Sequence, residues 1–270
     1  MRRFLKFFAR LSALLLGLSL CISPLRGFAA YNFEYERAVG NPLKGFMPFY
    51  SPDGADDSVP YSMEWFYIPL SALISDSGEY TVREGLEPYL EAISARGNQA
   101  VFRVYLDYPG SGIGEKAVPR FIWDMGIKKE RYDEYGGGFC PDYSDGRLID
   151  ILCDFVRELA REYDGDRRIA YITTGLLGHW GEWHVCLPEL EATNEQKAKI
   201  ISAFAQSFKV TRILTRYPGT PGTTRKGNVG FHDDSFTHST LYDESWHFMA
   251  KMKKAVSYTH LRAHETRSNL

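Results

Sequence analysis

Residues 145–175 read DGRLIDILCDFVRELAREYDGDRRIAYITTG and contain a helix pattern followed by a strand pattern. Apolar residues recur every three or four positions between Leu148 and Val156, which is typical of an amphipathic helix. After a short polar turn, the apolar run RIAYITTG at 168–175 predicts a buried strand. A helix that leads directly into such a strand is typical of βα units and a parallel sheet.

The same alternation extends along the chain. Six apolar runs predict strands over 44–50, 64–70, 98–106, 168–175, 208–216 and 228–234. Helices are predicted over 82–97, 145–163 and 193–208, and a further one over 241–254; Thr193 and Gln196 have the spacing of a capping box. Residues 217–227 have the composition of turns, so only a short helix or none is expected there, although the length still allows a parallel crossover. Because repeated βα units most often close into a barrel, we predict an α/β fold, an incomplete (β/α)8 barrel of the TIM type with about six βα units.

Both ends of the chain differ from this pattern. Residues 1–29 combine a basic start, the apolar run LSALLLGLSLCIS and the small residues GFAA, which predicts a signal peptide and a secreted, periplasmic or cell-surface protein. A retained membrane anchor is the alternative. The barrel is expected over 30–255 and to be truncated. Residues 256–270 resemble translated adapter DNA and are expected to be non-native, with a disordered native tail as the alternative.

The net charge of the chain and its lack of known nucleotide-binding and esterase motifs limit the classes of partner and cofactor that we expect. Five of the 32 basic residues lie in the predicted signal peptide, which contains no acidic residue, so 27 basic residues face 34 acidic ones in the remainder. This balance argues against nucleic acid or an anionic membrane surface as the partner. The chain lacks P-loop, G-x-G-x-x-G and G-x-S-x-G patterns, and we expect no cofactor.

Three cysteines follow the predicted signal peptide. Cys153 lies among apolar helix residues and is expected in the core. Cys140 and Cys186 are then left to pair across two loops, because an exported protein folds in an oxidising compartment.

Polar side chains follow four of the predicted strands. In barrels of this type the active site is built at the carboxyl ends of the strands. We therefore predict Glu182 as the catalytic residue and expect a substrate-binding role for Arg103, Asp107, His179, Trp180, Trp183, His184, Arg216, His232, Asp233 and Asp234.

The segment GLLGHWGEWH at 175–184 carries the strongest chemical signal. Glycoside cleavage needs one carboxylic acid as proton donor and a second carboxyl group as nucleophile or base. Glu182 stands between Trp180 and Trp183, which would remove water and raise its pKa, and indole faces stack on sugar rings. Gly178 and Gly181 are expected to let the backbone approach a ligand. The alternative is a structural glutamate with both tryptophans in the core.

Other interpretations stay open for the remaining residues. Asp233 and Asp234 either hydrogen-bond a sugar or orient a neighbouring His or Arg, or else they cap a helix. Arg103 and Asp107 share a strand face and either face the ligand or form a structural salt bridge. His and carboxylate groups are also metal ligands, but no H-x-x-x-H, H-E-x-x-H or C-x-x-C spacing occurs among these candidate residues, so no metal is predicted.

The segments NPLKGF, RVYLDYP, GLLGHWGEWH, TRYPG and GFHDDSF resemble secreted bacterial proteins of the domain-of-unknown-function families 4874 and 4832. The resemblance runs from about residue 41 to 236 and implies a distant likeness to clan A glycoside hydrolase barrels. In those barrels the acid/base Glu follows the fourth strand, which matches Glu182, and the nucleophile Glu follows the seventh strand, which this chain lacks. The clan usually has Asn before its acid/base Glu, whereas Gly181 stands here.

Three hypotheses follow. The first is an exported glycoside hydrolase-like protein that acts on a carbohydrate, with Glu182 as general acid/base. Because the clan's seventh-strand nucleophile is missing, the truncated chain is expected to be inactive alone. The second is a non-catalytic carbohydrate-binding barrel of the cell surface. The third is a metal-dependent hydrolase.

Overall fold

The computed structural model describes residues 43, 46–55, 61–220, 222, 228–234, 238, 240–241, 244–245 and 247–254. The predicted signal peptide and the predicted non-native tail lie outside these residues. All statements below concern the described part of the chain.

A parallel sheet forms the centre of the fold. In chain order the strands are β1 (Met63–Pro69), β2 (Gln99–Tyr105), β3 (Lys129–Tyr132), β4 (Gly138–Pro141), β5 (Ile169–Thr173), β6 (Arg212–Thr215) and β7 (Val229–Phe231). Five of them pair in parallel in the order β1-β2-β5-β6-β7, and β3 and β4 form a separate antiparallel hairpin. The α/β class with a parallel sheet is therefore confirmed. The five strands make an open sheet within the described residues, so closure into a barrel stays a prediction.

The helices follow their sequence patterns closely. They are α1 (Val82–Ala95), α2 (Arg120–Asp124), α3 (Gly146–Tyr163) and α4 (Asn194–Ser207), and residues 248–254 are also helical. The Asp145 carboxylate accepts the Arg147 N–H at the start of α3, and the capping box of Thr193 and Gln196 is formed at α4. None of the described helices has the length and apolar character needed to cross a membrane.

The main core lies between the helices and one face of the sheet. Strand residues such as Phe66, Phe102 and Ile172 pack in one cluster with the apolar faces of α1, α3 and α4. Because successive strand residues point to opposite faces, the alternate residues Trp65 and Val101 lie on the other face, in a second and smaller cluster. That second face carries the functional side chains described below.

Three predicted strands are clearly shorter than expected. The run over 228–234 forms a strand only over Val229–Phe231. The run over 44–50 contributes only isolated parallel bridges from Phe46 and Phe49. The run over 208–216 pairs only from Arg212 onward, because the Asp164 carboxylate accepts the backbone N–H groups of residues 209–211 and holds them in a turn.

Three further features differ from the sequence-based prediction. The hairpin of β3 and β4 was not predicted, because its strands are only four residues long and neither the charged β3 nor the Gly- and Pro-containing β4 has a clear apolar alternation. Of the helix expected over 241–254, the described residues are helical only over 248–254. Cys140 and Cys186 are free thiols, so the expected disulfide is not formed, whereas Cys153 lies in the core as predicted.

The two sheet faces predict different responses to truncation. We expect Phe102→Ala to lower the free energy of unfolding by about 3–5 kcal/mol, because it opens a cavity against the helices. Phe49→Ala should change it by no more than about 0.5 kcal/mol, because the Phe49 side chain is 68% exposed. Urea denaturation of both variants measures the difference, and equal losses would contradict the assignment of the faces.

Candidate functional site

Arg103 lies at the centre of the site. Its side chain extends from β2 on the sheet face opposite the helices and is 1% exposed. The guanidinium group lies 5.1 Å from the Trp65 ring and 5.4 Å from the Tyr67 ring, and Nε donates to Thr173 Oγ1 at 3.1 Å. Burial by itself would lower the pKa of Arg103, but the adjacent Asp234 carboxylate more than offsets it. The group is therefore a buried, permanent cation.

Two carboxyl groups share this cation and a second arginine. Arg103 Nη2 donates to Asp234 Oδ1 at 2.7 Å, and Nη1 lies 3.7 Å from Glu182 Oε1. Arg216 donates through Nη1 to Glu182 Oε2, and its Nε lies 3.5 Å from Asp234 Oδ2. Two arginines and two carboxyl groups thus form one compact cluster at the carboxyl ends of β2, β6 and β7 and the loop after β5.

His232 completes the cluster in a defined tautomer. Its Nδ1 lies 2.9 Å from Asp234 Oδ1, and its Nε2 lies 3.3 Å from Arg103 Nη2. Since an arginine nitrogen only donates, Nε2 must accept and Nδ1–H must donate to Asp234. Burial lowers the pKa of His232, although the Asp234 hydrogen bond opposes this, so the ring is neutral near pH 7. Both ring nitrogens are used inside the cluster.

The two carboxyl groups have pKa values displaced in opposite directions. Burial raises the pKa of Glu182, and the charges of Arg216 and Arg103 reverse this only in part. Burial acts on Asp234 in the same sense, but the hydrogen bond from His232 and the charge of Arg103 hold its pKa well below the ordinary value. A pair with separated pKa values provides one proton donor and one carboxylate that stays ionised.

The loop over 176–184 that carries Glu182 is held in a strained conformation. Leu176, Trp180 and Trp183 have φ angles of 66°, 52° and 66°, which side chains with a Cβ seldom adopt. Gly178 and Gly181 approach the protein itself rather than leaving room for a ligand: a Cβ on Gly178 would lie 2.4 Å from the His184 carbonyl oxygen. Close packing therefore explains these glycines, and their expected role in ligand approach is not what the structure shows.

Asp107 and the loop residue His179 form a buried network. The His179 Nδ1 lies 2.6 Å from Asp107 Oδ2, the Tyr132 hydroxyl donates to Asp107 Oδ1 at 2.7 Å, and the Cys186 N–H donates to His179 Nε2 at 2.9 Å. The backbone N–H of Trp180 also donates to the Asp107 carbonyl at 2.9 Å. The structure thus gives both predicted substrate-binding residues partners within the protein, and their side chains are buried.

The aromatic neighbours of Glu182 divide between core and surface. The Trp183 side chain is buried and its Nε1–H donates to the Gly175 carbonyl at 2.8 Å, so it is not an exposed sugar platform. The Trp180 ring lies 5.3 Å from the ring of Tyr135, which is 58% exposed. His184 lines a separate cavity.

An aromatic cavity of about 330 Å³ opens beside the cluster on the same sheet face. Its walls combine aromatic and apolar side chains with the polar end of β7, and they include Phe49, Met63, Trp65, Tyr67, Tyr171 and Asp234. Asp233 also lines it, and its carboxylate accepts the Thr240 hydroxyl. Flat apolar walls around a few fixed polar groups suit a ligand with planar or ring-shaped apolar faces.

The structure therefore brings together five of the predicted residues, namely Arg103, Glu182, Arg216, His232 and Asp234. Sequence reasoning missed Trp65, Tyr67 and Thr173, which complete the surroundings of Arg103. The alternation along β1 would have placed Trp65 and Tyr67 on one face. Within the described ranges, no group of three or more His, Cys, Asp or Glu side chains is placed to hold a metal ion.

Comparison with known proteins gives a distant structural likeness. No protein-family model matches the sequence, and no curated protein matches it. Endo-glycoceramidase II from Rhodococcus sp., in a complex with a five-membered iminocyclitol, is 14% identical with a TM-score of 0.44, and the match covers 65% of this chain and 48% of that one. Its complex with ganglioside GM3 gives 15% identity, the same TM-score, and 65% and 49% coverage. The chain spans about half the length of these structures.

Removal of one partner from the Asp107 network tests its structural role. We expect Asp107→Asn to lower the free energy of unfolding by about 1–3 kcal/mol, because the buried network loses a charge-assisted acceptor. Asp133→Asn is the matched control, since its carboxylate is exposed and should change stability by no more than about 0.5 kcal/mol. Thermal unfolding checks both; an unchanged Asp107→Asn variant would contradict the assignment.

Proposed function

We propose that the cluster is the site of a glycoside hydrolase-like protein that acts on a carbohydrate, with Glu182 as the proton donor. The opposite displacement of the two carboxyl pKa values supports this most directly. The raised pKa of Glu182 keeps a proton available to the leaving oxygen. Asp234, held ionised by His232 and Arg103, supplies the second carboxyl group that the reaction requires.

One carboxylate oxygen of Asp234, Oδ2, is available to contact the sugar or a water molecule. Its Oδ1 accepts hydrogen bonds from Arg103 and His232, whereas Oδ2 is buried, lies 3.5 Å from Arg216 Nε and has no hydrogen bond among the described residues. A buried carboxylate oxygen without a donor is costly, so a sugar hydroxyl or a water molecule would be bound there. The aromatic cavity beside Asp234 supplies the rings on which a sugar would stack.

The proposal also covers the fold family, the export and the partners of the protein. We propose that the open parallel sheet belongs to an incomplete TIM-type barrel of the domain-of-unknown-function families 4874 and 4832. In this view the chain is exported by its first 29 residues and meets its carbohydrate outside the cytoplasm. Neither nucleic acid nor, once the signal is removed, a membrane is its partner in this proposal.

The second candidate is a non-catalytic carbohydrate-binding protein. One observation favours it: both carboxyl groups are charge-compensated by the same two arginines, which weakens either one as a nucleophile. In that case the cluster binds sugar hydroxyls and no bond is broken. Binding without turnover on a broad panel of oligosaccharides and aryl glycosides would favour this candidate.

Glycosides with different leaving groups test Glu182. We expect Glu182→Ala to lower kcat/KM about 100- to 10,000-fold for a natural disaccharide, because an unprotonated sugar oxygen leaves slowly. For a dinitrophenyl glycoside the same variant should have a nearly unchanged kcat/KM, because the dinitrophenolate leaves without protonation. Equal losses on both substrates would exclude Glu182 as the proton donor.

Asp234→Asn is the matched comparison at the same cluster. It should reduce cleavage of both substrates, since the ionised carboxylate acts whatever the leaving group. Circular dichroism and thermal unfolding establish that the variant is folded. A folded Asp234→Asn variant with full activity would contradict the role given to Asp234.

The pH profile provides an independent measurement. Glu182 must be protonated to act, so kcat/KM for the disaccharide should fall as pH rises through its folded pKa. Because that pKa is raised, the decline should lie above the ordinary glutamate value of about 4.3. Asp234, with its lowered pKa, should stay ionised throughout that range. In Glu182→Ala this alkaline decline should disappear; its persistence would assign it to another group.

A further inference from the structure

A second cavity is lined in part by Trp183 and His184 of the loop that carries Glu182. It measures about 450 Å³, and three lysines line it together with residues adjacent to the cluster. We call it the basic cavity and define it by Lys197, Lys251, Lys254, Trp183, His184 and Tyr217. Trp183 and His184 follow Glu182 in the chain, and Tyr217 follows Arg216, whose guanidinium group lies 4.8 Å from the Tyr217 ring. The two sites thus share a wall.

The basic cavity carries positive charge that the protein does not neutralise locally. None of the residues that line it is acidic. Lys197 pairs with Glu191, but within the part of the chain that the structure describes Lys251 and Lys254 have no acidic partner. In the neighbouring cluster, by contrast, two arginines face two carboxyl groups. The excess of positive charge therefore lies in the basic cavity.

His184, one of the residues that line the cavity, has a buried polar atom without a partner in the described part of the chain. Nδ1 of His184 is buried and has no hydrogen-bond partner among the described residues. Burial, the largest cause, lowers the pKa of His184, so the ring is neutral near pH 7 and adds no charge of its own. A neutral imidazole nitrogen next to ammonium groups can donate to or accept from a polar ligand. This is a second observation, independent of the lysines, that indicates a ligand.

We propose that the basic cavity binds the anionic group of an acidic sugar, a carboxylate or a sulfate, next to the sugar unit held at Glu182. Lysine ammonium groups bind such oxygens through charge-assisted hydrogen bonds. The partly exposed Tyr217 ring offers a stacking surface for the sugar that bears the anion. This inference rests on the proposed function and narrows its substrate to acidic glycans.

Binding of paired saccharides tests the proposal. The probes are oligosaccharides that carry uronate, sialate or sulfate groups, each with its neutral parent, titrated by calorimetry into the whole chain. We expect at least one acidic probe to bind at least tenfold more tightly than its parent, with an affinity that falls as salt is added. No preference for any acidic probe would overturn the proposal.

Variants of the lysines locate the effect. Lys251→Gln combined with Lys254→Gln should weaken the acidic probe about tenfold and leave the neutral parent unchanged. Lys199→Gln is the matched control: it lies on α4 near Lys197 but pairs with Asp150, and it should have no effect. Equal behaviour of the double variant and the control would contradict the assignment.

Two further titrations distinguish a saccharide site from a free-anion site, and binding from hydrolysis. Inorganic sulfate that binds as tightly as the acidic saccharide would show a free-anion site and overturn the saccharide assignment. Repetition of the titrations with Glu182→Gln measures binding where no turnover is expected. Lysine-dependent binding in that variant supports the basic cavity even if the hydrolytic role of Glu182 fails.

Discussion

The buried guanidinium group of Arg103 is the constraint on which the rest of the site depends. An uncompensated charge at this depth would cost several kcal/mol, and burial is indeed the largest influence opposing the charge of Arg103. Asp234 from the end of β7 and Glu182 from the loop after β5 both reach it. One cation on a central strand therefore fixes the relative positions of two distant segments.

The two carboxyl groups beside Arg103 have pKa values that are shifted in opposite directions. Glu182 and Asp234 are both carboxyl groups near the same two arginines, yet only Asp234 also receives a hydrogen bond from neutral His232. For Asp234 these contacts outweigh burial, and for Glu182 burial outweighs them. The separation of the two pKa values thus arises from one extra donor and a difference in geometry.

Hydrogen bonds to neighbouring residues hold the loop that carries Glu182 in place. The network of Asp107, Tyr132 and the loop residue His179 satisfies its own polar groups and anchors a loop that holds three non-glycine residues at positive φ. Two cavities of different character lie near the cluster: an aromatic one lined by His232 and Asp234, and a basic one lined by the loop residues Trp183 and His184. A ligand that spans both would meet apolar rings on one side and ammonium groups on the other.

The sequence by itself determined the helices α1, α3 and α4, the locations of all five strands of the parallel sheet, and the set of strand ends at which Arg103, Glu182, Arg216 and Asp234 meet. Periodicity and the rule that parallel strands end at one edge suffice for this. Only the tertiary structure decided that Asp107, His179 and Trp183 support the loop from inside, and that Lys197 and Lys251 from separate helices line one cavity. Those outcomes depend on which way a backbone at positive φ turns each side chain and on contacts between distant segments, and neither property is encoded in local residue spacing.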